Sequence, residues 1–187
     1  MSAPTGWEGI LAPGENIIWQ GRPDGAIVLK PRNILTVIFG LFFAGFALFW
    51  MVMAASAGGG FWMFGLIHFS VGLIIIFVAV FAGPYRRRNS WYTLTDRQAI
   101  IASDLPVLGK KLQSWPITTT STLSLIQGPP DTVVFAEKTK RTKNGSRQIP
   151  VGFERIEDGR EVYRMMRDIQ TNAAARDLLA AKKDDAT

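Results

Sequence analysis

Hydrophobic and polar positions divide this chain into two regimes. From Ile34 to Gly83 there is no Lys, Arg, Asp or Glu. Inside that interval "ILTVIFGLFFAGFALFWMVM" spans 34–53 and "FWMFGLIHFSVGLIIIFVAVFA" spans 61–82, joined by the small, uncharged "AASAGGG". As a helix, each run would be roughly 30 Å long, the thickness of a bilayer hydrocarbon core. So short a link makes the two helices antiparallel neighbours. The expectation is a transmembrane hairpin over 34–83. A chain of 187 residues has too little other material to enclose two helices that are apolar on every face. A cleaved leader fits poorly, because the first run begins at residue 34 and a second follows.

Beyond residue 84 the period changes. "SWYTLTDRQAIIAS" places β-branched and aromatic residues on both sides of Asp96-Arg97, which predicts a hairpin. Ile117–Thr122 is strand-favouring, Leu125-Ile126 adds an apolar pair, and Gly128-Pro129-Pro130 predicts a turn. "DTVVFAEKT" and "QIPVGFERI" read as strands of a second hairpin, with "KRTKNGSRQ" as its loop and Asn144-Gly145 at its tip. Val162, Met165, Met166 and Ile169 then recur at helical spacing, with charged residues between them. Asp158 is positioned to cap that helix, with Glu161 three residues on. The fold class expected is α+β: a two-helix transmembrane hairpin, then a small antiparallel barrel or sandwich capped by a C-terminal helix. The divisions are 1–33, an N-terminal cytoplasmic segment; 34–83, the hairpin; 84–170, a β-domain; and 171–187, a helical or frayed tail.

Charge orients this arrangement. Residues 1–33 balance three bases against three acids, so the whole net charge of +6 lies in 84–187. Lys30 and Arg32 precede the first apolar run, Arg86, Arg87 and Arg88 follow the second, and the connecting loop is uncharged. The excess of basic residues at the outer flanks of the hairpin places both termini in the cytoplasm. Trp50 and Trp62 fall near the outer ends of the runs, and Tyr85, Trp91 and Tyr92 near the inner end, as an aromatic belt would.

Gly40, Ala44 and Ala47 share one face of the first helix, and Gly65, His68 and Gly72 one face of the second. Small residues allow close backbone approach in lipid, within the hairpin or between copies. His68, the one histidine, has two readings: a proton relay or haem ligand, or a neutral imidazole bonded to a backbone carbonyl or Ser70. No acidic partner lies in the apolar interval, which favours the second. The N-terminal "LAPGENIIWQGRP" is expected to supply a short strand packing on the β-domain, against the alternative of an interfacial segment anchored by Trp7 and Trp19.

"WYTLTDRQAII" at 91–101 resembles the opening hairpin of bacterial pleckstrin-homology-like domains attached to membrane helices. "VGFERIEDGREVYRMMRDIQ" at 151–170 is similar to their closing strand and helix, and "LAPGENIIWQGRP" at 11–23 to a segment preceding their membrane helices. The resemblance implies a PH-like fold and a binding role. It carries no catalytic residue onto this chain.

Candidate binding residues are the basic cluster Lys138, Lys140, Arg141, Lys143 and Arg147, with Lys110-Lys111 a weaker group. Near an anionic surface each Lys or Arg contributes about 1 kcal/mol. Catalysis finds no support: there is no cysteine, no histidine in the β-domain, and no carboxylate pair at a telling spacing. No metal, cofactor or nucleic-acid motif is present, and Gly58-Gly59-Gly60 lacks the lysine of a phosphate loop. The function expected is a non-enzymatic binding module in the bacterial inner membrane, recognising anionic lipid or a protein segment. The alternative is a structural subunit that forms a homo-oligomer through the hairpin.

Overall fold

The computed structural model describes residue 7 and residues 9–106, 109–142 and 145–184, with side chains through 175. The chain divides into two compact units, residues 25–87 and a second formed by 1–24 with 88–187.

In the first unit α1 (Pro31–Ser56) and α2 (Phe64–Arg88) form the hairpin, with a single 3₁₀ turn at Phe61–Met63 leading into α2. Both helices are long and apolar enough to cross a membrane. α1 runs past the predicted 34–53 at both ends and α2 runs past residue 82 to Arg88, although α2 itself begins only at Phe64, after the 3₁₀ turn. Pro31 supplies the preset φ of a first helical position, and arginine, abundant at the end of α2, is a strong helix former. Phe42 is 75% exposed and Phe61 69%, so the apolar outer surface is left uncovered by the protein.

What the helices do bury is the small-residue seam: Gly40, Ala44 and Ala47 on α1, Gly65 and Gly72 on α2. A Cβ on Gly72 would lie 2.8 Å from the Ala44 Cβ and 2.9 Å from its backbone nitrogen; one on Gly40 would lie 2.7 Å from Ile76. Gly40, Ala44, Ala47, Gly65 and Gly72 therefore meet inside one hairpin, whereas His68, expected on the same face of α2, is exposed and lies outside the seam. Asn33 Nδ2 donates to the Ala79 carbonyl at 2.9 Å and ties the helices together at their open end.

In the second unit β1 (Ile17–Gly21) pairs antiparallel with β2 (Ser90–Thr95), which pairs with β3 (Gln98–Leu105), which pairs with β4 (Gly109–Pro116). A second sheet is ordered β5 (Ser124–Ile126), β6 (Asp131–Thr142), β7 (Gly145–Ile156). α3 (Gly159–Asp184) follows and packs against β5 and β6. The two sheets are open, with no ladder closing them into a barrel among the described residues. One core draws on both sheets and α3: Tyr92, Leu94, Val133, Phe135, Phe153, Ile156, Val162, Met166 and Ile169. Phe153 is fully buried, with ring centroids 4.8 Å from Tyr92, 5.0 Å from Phe135 and 5.4 Å from Trp19.

Two expectations change. Tyr92 belongs to this core and not to an interfacial belt, because its β2 position faces inward. Thr118–Thr122 is a turn and not a strand. The Ser121 hydroxyl accepts from the Thr118 N–H at 3.0 Å. Gln170 Nε2 on α3 donates to the Thr118, Thr119 and Ser121 carbonyls. Those side-chain bonds occupy the backbone groups that a ladder would need. Of the helical or frayed tail expected over 171–187, the part through Asp184 is helical, as the end of α3.

The N-terminal segment takes the strand reading. Trp19 Nε1 donates to Asp158 Oδ2 at 3.5 Å. Asp24 holds Arg155 through an ion pair at 2.6 Å, and its N–H donates to the Arg155 carbonyl at 2.8 Å. Arg155 sits at φ 53°, a left-handed conformation unusual for its type, and both bonds to Asp24 help hold it there. Glu15 is buried and accepts from the Thr95 hydroxyl at 2.6 Å, Gln98 Nε2 at 2.8 Å and the Ala12 N–H at 2.8 Å. Burial pushes its carboxyl up, but these bonds and the nearby Arg97 charge outweigh that and leave it below the ordinary carboxylate value. A depressed folded pKa contributes stability above the unfolded value that is lost as pH falls through the folded one. The stability gap between the wild type and Glu15→Gln should be about 1–3 kcal/mol at neutral pH. It should close in acid, below about pH 4. Denaturation followed at several pH values checks this, and a gap that persists in acid would refute it.

Candidate functional site

The basic cluster expected in a loop lies on strands. From Glu137 to Thr142 and from Gly145 to Pro150 every residue is exposed, so β6 and β7 continue as a two-stranded ribbon well past the core. A β-strand rises about 3.3 Å per residue, which makes this extension about 20 Å long. β5 pairs only with Thr132–Val134, and β6 and β7 are each other's partners farther out. Thr142 pairs with Gly145, so Gly145 starts β7 and the two connecting positions are 143 and 144. Lys143 and Asn144 lie outside the described residues.

The register sorts the charges by face. Ala136 pairs with Val151, Lys138 with Ile149, and Lys140 with Arg147. Directly opposite residues share a side, and alternate residues along a strand share a side. One face of the ribbon therefore carries Lys138, Lys140, Arg147 and Ile149, with Thr142 and Gly145 at its far end. It continues the side on which Ala136 and Val151 pack against the core. The other face carries Glu137, Thr139, Arg141, Ser146 and Gln148, where Thr139 Oγ1 and Gln148 Oε1 are 2.9 Å apart. The first face bears three cations and no acid; on the second, Arg141 and Glu137 cancel. Among the described residues no ion pair neutralises Lys138, Lys140 or Arg147. Like charges directly opposite across a ladder destabilise it, and a two-stranded ribbon is only marginally stable by itself. The Lys140–Arg147 pair is thus a cost to the fold that an anion would relieve.

The other sequence candidates separate. Lys30 and Arg32 flank the start of α1, and Arg86 and Arg88 stand exposed at the end of α2. Arg87 is instead 6% exposed and donates from Nη2 to the Ala26 carbonyl at 2.6 Å. Lys110 lies opposite Asp104 in the β3–β4 ladder. His68 lies one turn into α2, exposed, with its ring 6.1 Å from that of Phe43 and 5.3 Å from that of Phe64 between centroids. The expected bond to Ser70 or a backbone carbonyl is absent among the described residues. The imidazole borders an apolar cavity of about 300 Å³ with Phe46, Ala47 and Trp50.

A shallower depression of about 510 Å³ lies on the four-stranded sheet. Arg22 stands there 4.6 Å from the Trp91 ring, and Ile10 and Leu112 add apolar wall. Among the described residues no three His, Asp or Glu side chains gather to hold a metal.

Ile149 and the one-sidedness of the ribbon were missed in the sequence, although the signal was there. Lys138 and Lys140 share a parity, and any two-residue turn near 144 brings Arg147 and Ile149 to the same side. The chain matches no protein-family model, no curated protein and no solved structure.

Proposed function

We propose that this chain is a membrane-anchored, non-catalytic binding module whose β-unit recognises an anionic partner, either a lipid surface or an acidic protein segment. In this reading the hairpin spans a bacterial inner membrane with both termini cytoplasmic, and the β-unit is PH-like in its antiparallel strands and closing helix. The observation that carries it is the cationic face of the β6–β7 ribbon, with Lys140 opposite Arg147 and no acid beside them. Apolar helices left uncovered by the protein support the membrane anchor. The oligomeric alternative loses its proposed contact surface, because Gly40, Ala44, Ala47, Gly65 and Gly72 are buried within one hairpin.

The test uses the full chain in nanodiscs of neutral phosphatidylcholine, with poly-glutamate as a soluble anionic probe. Poly-glutamate should raise Tm, an effect that salt removes because exposed charges are screened within about 10 Å. The double variant Lys140→Glu with Arg147→Glu should not respond. No rise in Tm for the wild type would overturn the anion-binding reading. Because the chain has no cysteine, single cysteines at Gly59 and Ser103 can report orientation in cells. A membrane-impermeant maleimide should label Gly59→Cys alone.

A further inference from the structure

Resting on that reading, we propose that the anionic partner is the bilayer itself. The Lys138, Lys140 and Arg147 face lies on an acidic phospholipid surface with Ile149 directed into it, and the Arg141 face turned away.

The composition of the two faces supports a surface contact. Three cations, an isoleucine and Thr142 occupy one side, while the other has cancelling charges, hydroxyl and amide side chains and Pro150. Ile149 is 40% exposed, directly opposite Lys138 and two positions from Arg147. An exposed β-branched apolar residue with cations opposite it and on its outer side suits a lipid interface, where lysine stems lie along apolar surface and their heads reach phosphate. Each cation brought to an anionic surface strengthens binding about fivefold.

Chain continuity selects lipid over a soluble partner. β2 begins at Ser90, two residues after α2 ends at Arg88. A ribbon covalently joined to a membrane helix meets phospholipid at a high effective concentration, so weak individual contacts suffice.

The experiment uses the full chain in nanodiscs, with an environment-sensitive fluorophore on Ile149→Cys or, on the opposite face, on Gln148→Cys. The discs contain phosphatidylcholine alone or with phosphatidylglycerol, and a trace of lipid bearing a headgroup nitroxide as quencher. Quenching at 149 should appear with phosphatidylglycerol, disappear in high salt and be several-fold weaker at 148. The triple variant Lys138→Glu, Lys140→Glu, Arg147→Glu should abolish it, whereas Arg141→Glu, on the charge-balanced face, should leave it nearly unchanged. Equal quenching at both positions, or quenching indifferent to lipid charge, would overturn the proposal. If position 149 stays silent in acidic discs while poly-glutamate still raises Tm, the lipid assignment falls and an acidic protein segment takes its place. If poly-glutamate also has no effect, the binding-module reading falls with it.

Discussion

Phe153→Ala should destabilise the β-unit by about 3–5 kcal/mol, the range for removing a large buried aromatic. The ring is fully buried and is shared by three elements: Tyr92 of β2 stacks on it, Phe135 of β6 meets it edge-on, and Trp19 of β1 packs beside it. Its removal leaves a cavity that no single neighbour can fill without abandoning the others. The loss falls on the packing that joins both sheets and the N-terminal strand. Denaturant unfolding of the full chain, followed by tryptophan emission, should show an earlier transition. Hydrogen exchange should speed in β1 as well as β7. An effect below about 0.5 kcal/mol, the scale of an ordinary surface change, would mean that Phe153 does not organise this core. Its neighbour sharpens the point. A Cβ on Gly152 would run into the backbone of Val133 and Val134. Backbone cannot yield as a flexible side chain can, so Gly152→Val should disrupt the β6–β7 register from which the ribbon grows.

Gly72→Leu should separate the two long apolar helices. A Cβ alone at that position comes within 3.0 Å of three Ala44 atoms, two of them backbone. A leucine adds three more carbons in the same direction. Small residues let helix backbones approach closely enough to gain van der Waals packing in lipid, so the variant loses contact along the seam that Gly40, Ala44 and Ala47 form. Spin labels on the exposed Phe42 and Ile74 positions should show a longer and broader distance distribution, while Gly45→Leu should leave it unchanged. A Cβ on Gly45 meets nothing within 4 Å. If Gly72→Leu keeps the wild-type distance, the seam does not hold the hairpin together.

The hairpin was legible because its cause is local and summed. Fifty consecutive residues without a charge admit few structures, and the small residues at helical spacing marked the contact face before any partner was visible. The strand pairs around Asp96-Arg97 and on either side of 143–144 were legible for a similar reason: alternation and turn residues are written within a dozen positions. Thr118–Thr122 was not. Its threonines favour strand by propensity, but Ser121 and a glutamine on α3 some fifty residues away satisfied the backbone first. Tyr92 was misplaced because an aromatic residue near a membrane helix end and one facing a β-core have the same local sequence.

By itself the sequence determined what depends on neighbours along the chain: two spans of bilayer length, the positions of most strands, the face of the closing helix, and the cluster of positive charge. The tertiary structure decided what depends on pairing between distant segments. It joined Ile17–Gly21 to a strand seventy residues away, divided the strands into two open sheets, and buried Arg87 while leaving its neighbours exposed. It also turned a list of basic residues into one cationic face and one balanced face. Side-chain period is a local property, but which two periods lie side by side is set by register, and register is fixed where buried residues such as Val133 and Phe153 must meet.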